Sequence, residues 1–390
     1  MIRVLIVESA LPVALVLKSY LAAQPGLSVV GHSSRGGEAL QLLRTLRPDV
    51  VTMDLRLPDM DGIETTRRIM EEQPTPIVMV GTALDKSDTQ TVFRALEAGA
   101  VAVFGRPPLP GDPQVERVAR ELGELLHAMA GAQLVRRRRV RAVSALAGAG
   151  PMTPAGPRVL AIAASTGGPL ALAAILGGLP AGLPLPVLVV QHISPGFLPG
   201  MVDWLGTRCG LVCRVATDGE ALQDGTVYFA PDGHHLRGAS FGNRLFARLA
   251  ADEPVQGHRP SATPLFASVA QECGARAIGV VLTGMGADGA QGLLALRDAG
   301  ALTLAQSPET CVIDGMPLAA MALSAASEVV PLSGLAARIL LAAGVDVVPG
   351  DRLWGAPTNF SALDATPVTA KDAAHGYDAR ITAACRGDKQ

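Results

Sequence analysis

The chain has 390 residues, with 33 lysines and arginines against 35 aspartates and glutamates, a formal charge of -2. That balance gives no general pull toward nucleic acid or anionic membrane surfaces. Hydrophobic residues make up 49% and charged residues 17%, enough apolar material for two or three buried cores and too much for a globally disordered chain. Aromatics at 3% argue against a stacking platform for single-stranded nucleic acid.

The opening MIRVLIVESALPV reads as a strand rather than a signal peptide, because Glu8 interrupts the apolar run early and no cleavage-type site follows. No apolar stretch reaches the ~18 residues of a spanning helix. A cytoplasmic protein without membrane insertion is therefore expected. Apolar runs at 2–7, 27–31, 49–54, 76–81 and 100–105 alternate with amphipathic segments, the last helix starting near Pro113. Five such units with near-continuous apolar strands predict a parallel sheet covered on both faces.

Beyond about residue 131 the texture changes. An arginine-rich run (136–141) and an Ala/Gly/Pro stretch (144–157) read as a linker. A second α/β series has strands expected at 158–165, 185–192, 226–231, 277–284 and 301–306, ending near 348. The remaining tail, poor in apolar clusters, is expected to be poorly ordered. The predicted organisation is 1–120, a helix end and linker over 121–156, 157–348, and a tail over 349–390. Five cysteines are spread thinly with no CxxC pair. Cys209 and Cys213 are close in sequence, but no zinc-ligand set forms around them, so they read as ordinary reduced thiols.

Asp54 ends the third expected strand, and open parallel sheets present reactive groups at the carboxyl ends of their strands. By itself it is equally an ordinary strand-end aspartate. Five β-α units in order, Asp54 after the third strand, and Arg106-Pro107 after the fifth together make residues 1–120 resemble a response-regulator receiver. The resemblance implies a flavodoxin-like fold and a sensor histidine kinase as partner. It also implies phosphoryl transfer to Asp54, with Mg²⁺ held by Glu8 and Asp54. Three positions depart from that family. The acidic pair after the first strand is Glu8-Ser9, the hydroxyl position after the fourth falls on Gly81 with Thr82 one place late, and the lysine position holds Arg106. An arginine fork does not reproduce a compact ammonium contact, so a receiver that works by docking, with weak or absent phosphate activation, is expected.

In the second half, AASTGGP (163–169) puts Ser165 on a tight strand-to-helix turn with backbone amides free to face an oxyanion, although such a turn alone is commonly only a turn. QHISPGF (191–197) places His192 at the end of the next strand, where a histidine can equally be structural. GMGADG (284–289) carries Asp288 and matches the dinucleotide fingerprint GxGxxG. That reading is disfavoured. Asp288 would set a carboxylate where a pyrophosphate approaches, and the following strand ends at Gln306 rather than at an acid for the ribose. Taken together, Ser165, His192 and Asp288 supply a nucleophile, a base and an orienting carboxylate from three strand ends. Their chain order, and the absence of GxSxG around Ser165, argue against an ordinary α/β-hydrolase.

ASTGGP, QHI with the following proline and phenylalanine, APDGHHL (230–236), RPSATPLF (259–266) and GMGADG run in the order of the CheB-type chemotaxis methylesterases, which 157–348 therefore resembles. The resemblance implies a doubly wound, mostly parallel α/β domain. It implies hydrolysis of glutamate methyl esters on chemoreceptor proteins, with glutamine deamidation by the same carbonyl chemistry and no cofactor for catalysis. It makes Ser165 the nucleophile, His192 its base and Asp288 the orienting acid, with Thr166 and the Met285 N–H at the oxyanion. His235 matches a recurrent family histidine without assigned chemistry, while His127, His234 and His258 read as ordinary. A hydrolase of another ester and a non-enzymatic adaptor for a receptor or kinase remain as alternatives.

Overall fold

The computed structural model describes residues 1–81, 86–108, 110–130 and 159–345; side chains of 86–91 are not described. Two parallel sheets organise these residues. The first contains β1 (Ile2–Val7), β2 (Leu27–Ser33), β3 (Val50–Met53), β4 (Ile77–Gly81) and β5 (Ala102–Gly105) in the order β2-β1-β3-β4-β5. Five helices connect and cover it: α1 (Leu11–Ala22), α2 (Gly36–Leu46), α3 (Gly62–Glu72), α4 (Lys86–Ala98) and α5 (Val115–Ala130). The strands pair in parallel throughout, and all residues of β3 and β4 are buried, as helices on both faces require. The order reverses between β1 and β3, a switch point that opens a crevice at the strand ends. Glu8 and Asp54 follow β1 and β3 into it.

The second sheet has seven strands in the order β14-β13-β12-β6-β7-β9-β8: β6 (Val159–Ala164), β7 (Val187–Gln191), β8 (Val212–Val215), β9 (Thr226–Phe229), β12 (Ala277–Val281), β13 (Leu302–Gln306) and β14 (Glu328–Val330). An antiparallel hairpin, β10 (His235–Phe241) with β11 (Arg244–Ala250), stands beside it. The helices are α6 (Gly168–Gly177), α7 (Leu198–Gly206), α8 (Ala262–Cys273), α9 (Ala290–Asp298), α10 (Gly315–Ala322) and α11 (Leu332–Ala343). The central strands β6, β7 and β12 are buried along their whole length.

The expected strands therefore lie where the apolar runs stand, and β8, β14 and the hairpin were missed. β8 alternates exposed and half-buried residues at a sheet edge, and β14 is three residues long, so neither writes an apolar run. The hairpin did carry a signal, the Gly242-Asn243 turn between two alternating segments. The linker segment 131–158 and the tail from 346 lie outside the described residues, as does Thr82.

The two sheet units touch through α4 and α7. Phe93 stacks on Trp204 with ring centroids 5.3 Å apart. Glu97 accepts from Trp204 Nε1 at 3.1 Å and from Arg208 Nε at 2.6 Å. At the end of β5 the Gly105 N–H donates to Ser194 Oγ at 3.0 Å, two residues beyond His192. The first unit thus rests on the segment that carries His192 out of β7.

Candidate active site

Ser165, His192 and Asp288 lie just past β6, β7 and β12, three strands that are neighbours in the sheet with β6 in the middle. Backbone hydrogen bonds lock the three ends together. The Ser165 N–H donates to Thr283 O at 3.1 Å, and the His192 N–H donates to Ala164 O at 2.9 Å. The structure brings the three sequence-predicted residues to one sheet edge.

The turn after Ser165 depends on glycine. Gly167 has φ of +78°, a left-handed conformation that a Cβ disfavours, and a Cβ there would come within 2.7 Å of Val312. Gly284 is needed for a different reason, since a Cβ on it would lie 2.7 Å from Ser165 Cβ and 2.3 Å from Met316 Sδ. That close approach packs Gly284, the residue before Met285, against Ser165. The Thr166 carbonyl accepts from Thr283 Oγ1 at 2.9 Å, and Ser165 and Thr166 are both half-buried. Gln191, unnoticed in the sequence, donates from Nε2 to the carbonyls of Ser165 and His192, each at 2.8 Å, so one amide ties the nucleophile turn to the histidine turn.

His192 Nε2 is 2.9 Å from Asp288 Oδ2. The separation is that of a hydrogen bond, but its alignment leaves Nε2 unsatisfied, and the buried Nδ1 has no hydrogen-bond partner among the described residues. The distance is the better guide, because catalytic contacts without substrate are often misaligned and tighten on binding. With Nε2 on Asp288, Nδ1 is the nitrogen left to take a proton. His258, read from sequence as ordinary, corrects that reading. Its ring stacks on His192 with centroids 4.1 Å apart and planes 10° from parallel. Burial, then the neighbouring His192, lower the His258 pKa against the pull of Asp288, which favours a neutral ring against the face of His192.

Asp288 is 1% exposed and sits against the first turn of α8. Oδ1 accepts from Ser261 Oγ at 2.6 Å and Thr263 Oγ1 at 3.0 Å, and Oδ2 accepts from the Ala262 N–H at 2.7 Å. Burial opposes its charge, yet contact with His192, the Ser261 hydroxyl and the Ala262 N–H outweigh it and hold the carboxyl well below the usual range. Helix N-termini favour such an anion. The support continues outward. The Ser261 N–H donates to His235 Nδ1 at 3.1 Å, which makes Nδ1 an acceptor and leaves Nε2–H to donate to Glu253 O at 3.1 Å. Fully buried His235 thus positions Ser261, and Ser261 positions Asp288. The Ser-Ala-Thr-Pro segment, a helix-start signature, was the available signal for this support.

At the first sheet, Glu8 is 1% and Asp54 6% exposed. The Ser9 hydroxyl donates to Asp54 Oδ2 at 3.0 Å, and the Ala10 N–H donates to Glu8 Oε1 at 2.9 Å. Burial pushes the Glu8 carboxyl up to about 7, with Asp54 adding and the Ala10 N–H and Arg106 opposing. Arg106 Nη2 lies 3.9 Å from Glu8 Oε2. A divalent cation in this crevice would have the buried carboxylates of Glu8 and Asp54 as its side-chain ligands. Ser9 stands in place of a second carboxylate beside Glu8, and the guanidinium already supplies the positive charge next to Glu8. No group of three or more His, Cys, Asp or Glu side chains suited to a metal occurs among the described residues, and no helix among them is long and apolar enough to cross a membrane.

The fold and this edge define a receiver-type unit joined to an α/β esterase-type unit, and comparison with known proteins agrees. Residues 160–339 match the family model for the CheB methylesterase, and residues 4–108 match that for the response regulator receiver domain. The chain is 48% identical over 342 residues to protein-glutamate methylesterase/protein-glutamine glutaminase 3 of Anaeromyxobacter dehalogenans, covering 87% of this chain and 99% of the relative. It is 44% identical over 334 residues to protein-glutamate methylesterase/protein-glutamine glutaminase 4 of Geobacter metallireducens, covering 85% and 96%. A crystal structure of the Thermotoga maritima CheB methylesterase catalytic domain aligns with 32% identity and a TM-score of 0.47, covering 48% of this chain and 99% of that one. The chain belongs to the receiver-bearing protein-glutamate methylesterase/protein-glutamine glutaminase family.

Proposed function

We propose that this protein hydrolyses glutamate γ-methyl esters on chemoreceptors, releasing methanol, with residues 157–348 as the catalytic unit and 1–120 as its regulator. The observation that carries the reading is the convergence of Ser165, His192 and Asp288 on three adjacent strand ends. Ser165 Oγ passes its proton to His192 Nδ1 and attacks the ester carbonyl. The tetrahedral oxyanion is stabilised by Thr166 and the Met285 N–H. His192 then protonates the departing methanol, and water repeats the sequence to free the glutamate. An amide carbonyl follows the same course with ammonia leaving, which gives glutamine deamidation. Methanol release from methylated receptor membranes, compared between wild type and Ser165→Ala, is the test.

His258 is a positioning residue in this scheme, a neutral ring that fixes the plane of His192. His258→Phe keeps a stacking ring and is expected to stay within about threefold of wild type. His258→Ala is expected to lower kcat roughly tenfold at unchanged KM, in line with the cost of misplacing a catalytic group. Equal kinetics for the two variants would remove the stack from the mechanism.

A sensor kinase is the partner that a receiver implies, but the pocket here supports regulation by docking. Arg106 sits beside Glu8, Ser9 holds Asp54, and Gly81 offers no hydroxyl at the end of β4. Mg²⁺ with a small phosphodonor is expected to change methanol release less than twofold. Labelling of Asp54 accompanied by a severalfold rise would show the opposite.

A further inference from the structure

Cys209 follows the last turn of α7 and Cys213 lies on β8, outside the site described above. Their sulfurs are 3.6 Å apart. Both residues are half-buried, packed against the hydrophobic core and flanked by exposed Gly210, Val212 and Arg214. Of the other cysteines, Cys273 is buried and pushed up to about 11 by that burial, and burial also pushes Cys311 up.

We propose that Cys209 and Cys213 form a reversible disulfide whose closure loosens the grip of α4 on α7. The coupling half of this proposal rests on the regulatory reading above. A disulfide needs a sulfur separation of about 2.05 Å, so the two sulfurs must approach by roughly 1.5 Å. Closure also removes the Cys209 thiol from Leu205 O, at 3.3 Å in the last turn of α7. The residue next to Cys209 is Arg208, whose guanidinium holds Glu97 with Nε at 2.6 Å and lies 5.5 Å from the centre of the Trp204 ring. Hydrogen bonds fail beyond about 3.2–3.5 Å, so passing on most of that movement breaks the Arg208–Glu97 contact. Among the described residues, Arg208 and Trp204 join α7 to Glu97 of α4, and α7 leads back through Ser194 to His192.

The chemistry is exchange with a low-molecular-weight disulfide. The Cys213 thiol, hydrogen bonding to the Cys209 sulfur, pulls Cys209 down to about 7 despite burial, close to the optimum for an attacking thiol near neutral pH. The same contact, with burial, pushes Cys213 up. The Cys209 thiolate attacks one sulfur of the small disulfide and expels one small thiolate. Cys213 then gives its proton to that thiolate and attacks the Cys209 sulfur, expelling the second. Two protein thiols become one disulfide, and the small disulfide is reduced to two thiols.

The full-length chain carrying Cys385→Ser, to remove the cysteine outside the described residues, is incubated with glutathione disulfide near neutral pH. The expected product has lost about 2 Da with no glutathione attached, and its peptide map links Cys209 to Cys213. Methanol release is expected to rise at least twofold, to fall back with a thiol reductant, and to stay flat in Cys213→Ser. Trp204 emission, read in a chain that also carries Trp354→Phe, is expected to shift as Phe93 and Arg208 part from it. Free thiols or stable mixed disulfides alone would overturn the proposal by mass, whether or not the chain is an esterase. A linked product with unchanged Trp204 emission would overturn the coupling. Absence of methanol release in the reduced chain as well would count against the esterase reading and leave the mass and emission results to decide this one.

Discussion

Ser165→Ala is expected to lower methanol release by roughly 10⁶, the magnitude found when a serine hydrolase loses its nucleophile or base. The drop is this large because the other groups act only through the bond that Ser165 Oγ forms. In the proposed scheme, without that oxygen His192 has no proton to take, and Thr166 and the Met285 N–H have no oxyanion to meet. Folding should be untouched, since Ser165 is anchored by its backbone, with its N–H on Thr283 O and its carbonyl on Gln191 Nε2 and the Gly168 N–H. The measurement is methanol from methylated receptor membranes, with thermal unfolding of the same preparations as a control. A loss below tenfold in a folded variant would end the covalent mechanism.

Asp288→Asn should lower kcat by about 10⁴, the cost of holding the histidine in the wrong tautomer, and it should also cost stability. The carboxylate accepts on both oxygens. Whichever way an asparagine is turned, one oxygen position becomes an NH₂ facing donors, either the Ala262 N–H and His192 or the Ser261 and Thr263 groups. About 2–4 kcal/mol is expected for such a buried charged partner. The pH dependence follows from the lowered pKa of Asp288. Its stabilisation is fully present above the unfolded value of about 3.9 and is lost as pH falls through the lower folded value. Denaturant midpoints of wild type and variant should therefore differ most at pH 6–7 and converge below about pH 4. A gap that grows on acidification would show that the carboxyl is not held charged by these donors.

Much of this was legible in the sequence, and for a physical reason. Buried parallel strands must be apolar along their length, so β6, β7 and β12 announce themselves. Reactive groups belong at strand ends, so Ser165, His192 and Asp288 stand out in position as well as in kind. What stayed hidden depends on contacts between distant segments. Nothing near His258 tells that its ring will lie on His192, because the loop 251–261 reaches the site only through the fold. The support of Asp288 by Ser261, and of Ser261 by His235 from a hairpin some 26 residues earlier in the chain, is a tertiary fact of the same kind. At the first sheet the substitutions Glu8-Ser9, Gly81 and Arg106 were visible as departures. That Arg106 reaches toward Glu8 while Ser9 takes hold of Asp54 required coordinates.

The grip of α8 on Asp288 has a consequence for how substrate is admitted. A side chain held by two hydroxyls and a backbone amide cannot swing aside, so that wall of the cleft is immobile and fixes where the imidazole must stand. The segment from Ser194 to Gly196, just past His192, is anchored differently: among the described residues the Gly105 N–H of the N-terminal unit and one exposed aspartate, Asp232, hold it. A protein substrate presenting a glutamyl ester would thus meet one firmly held segment and one whose pose is lent by the neighbouring unit. Opening the enzyme then requires moving only the second.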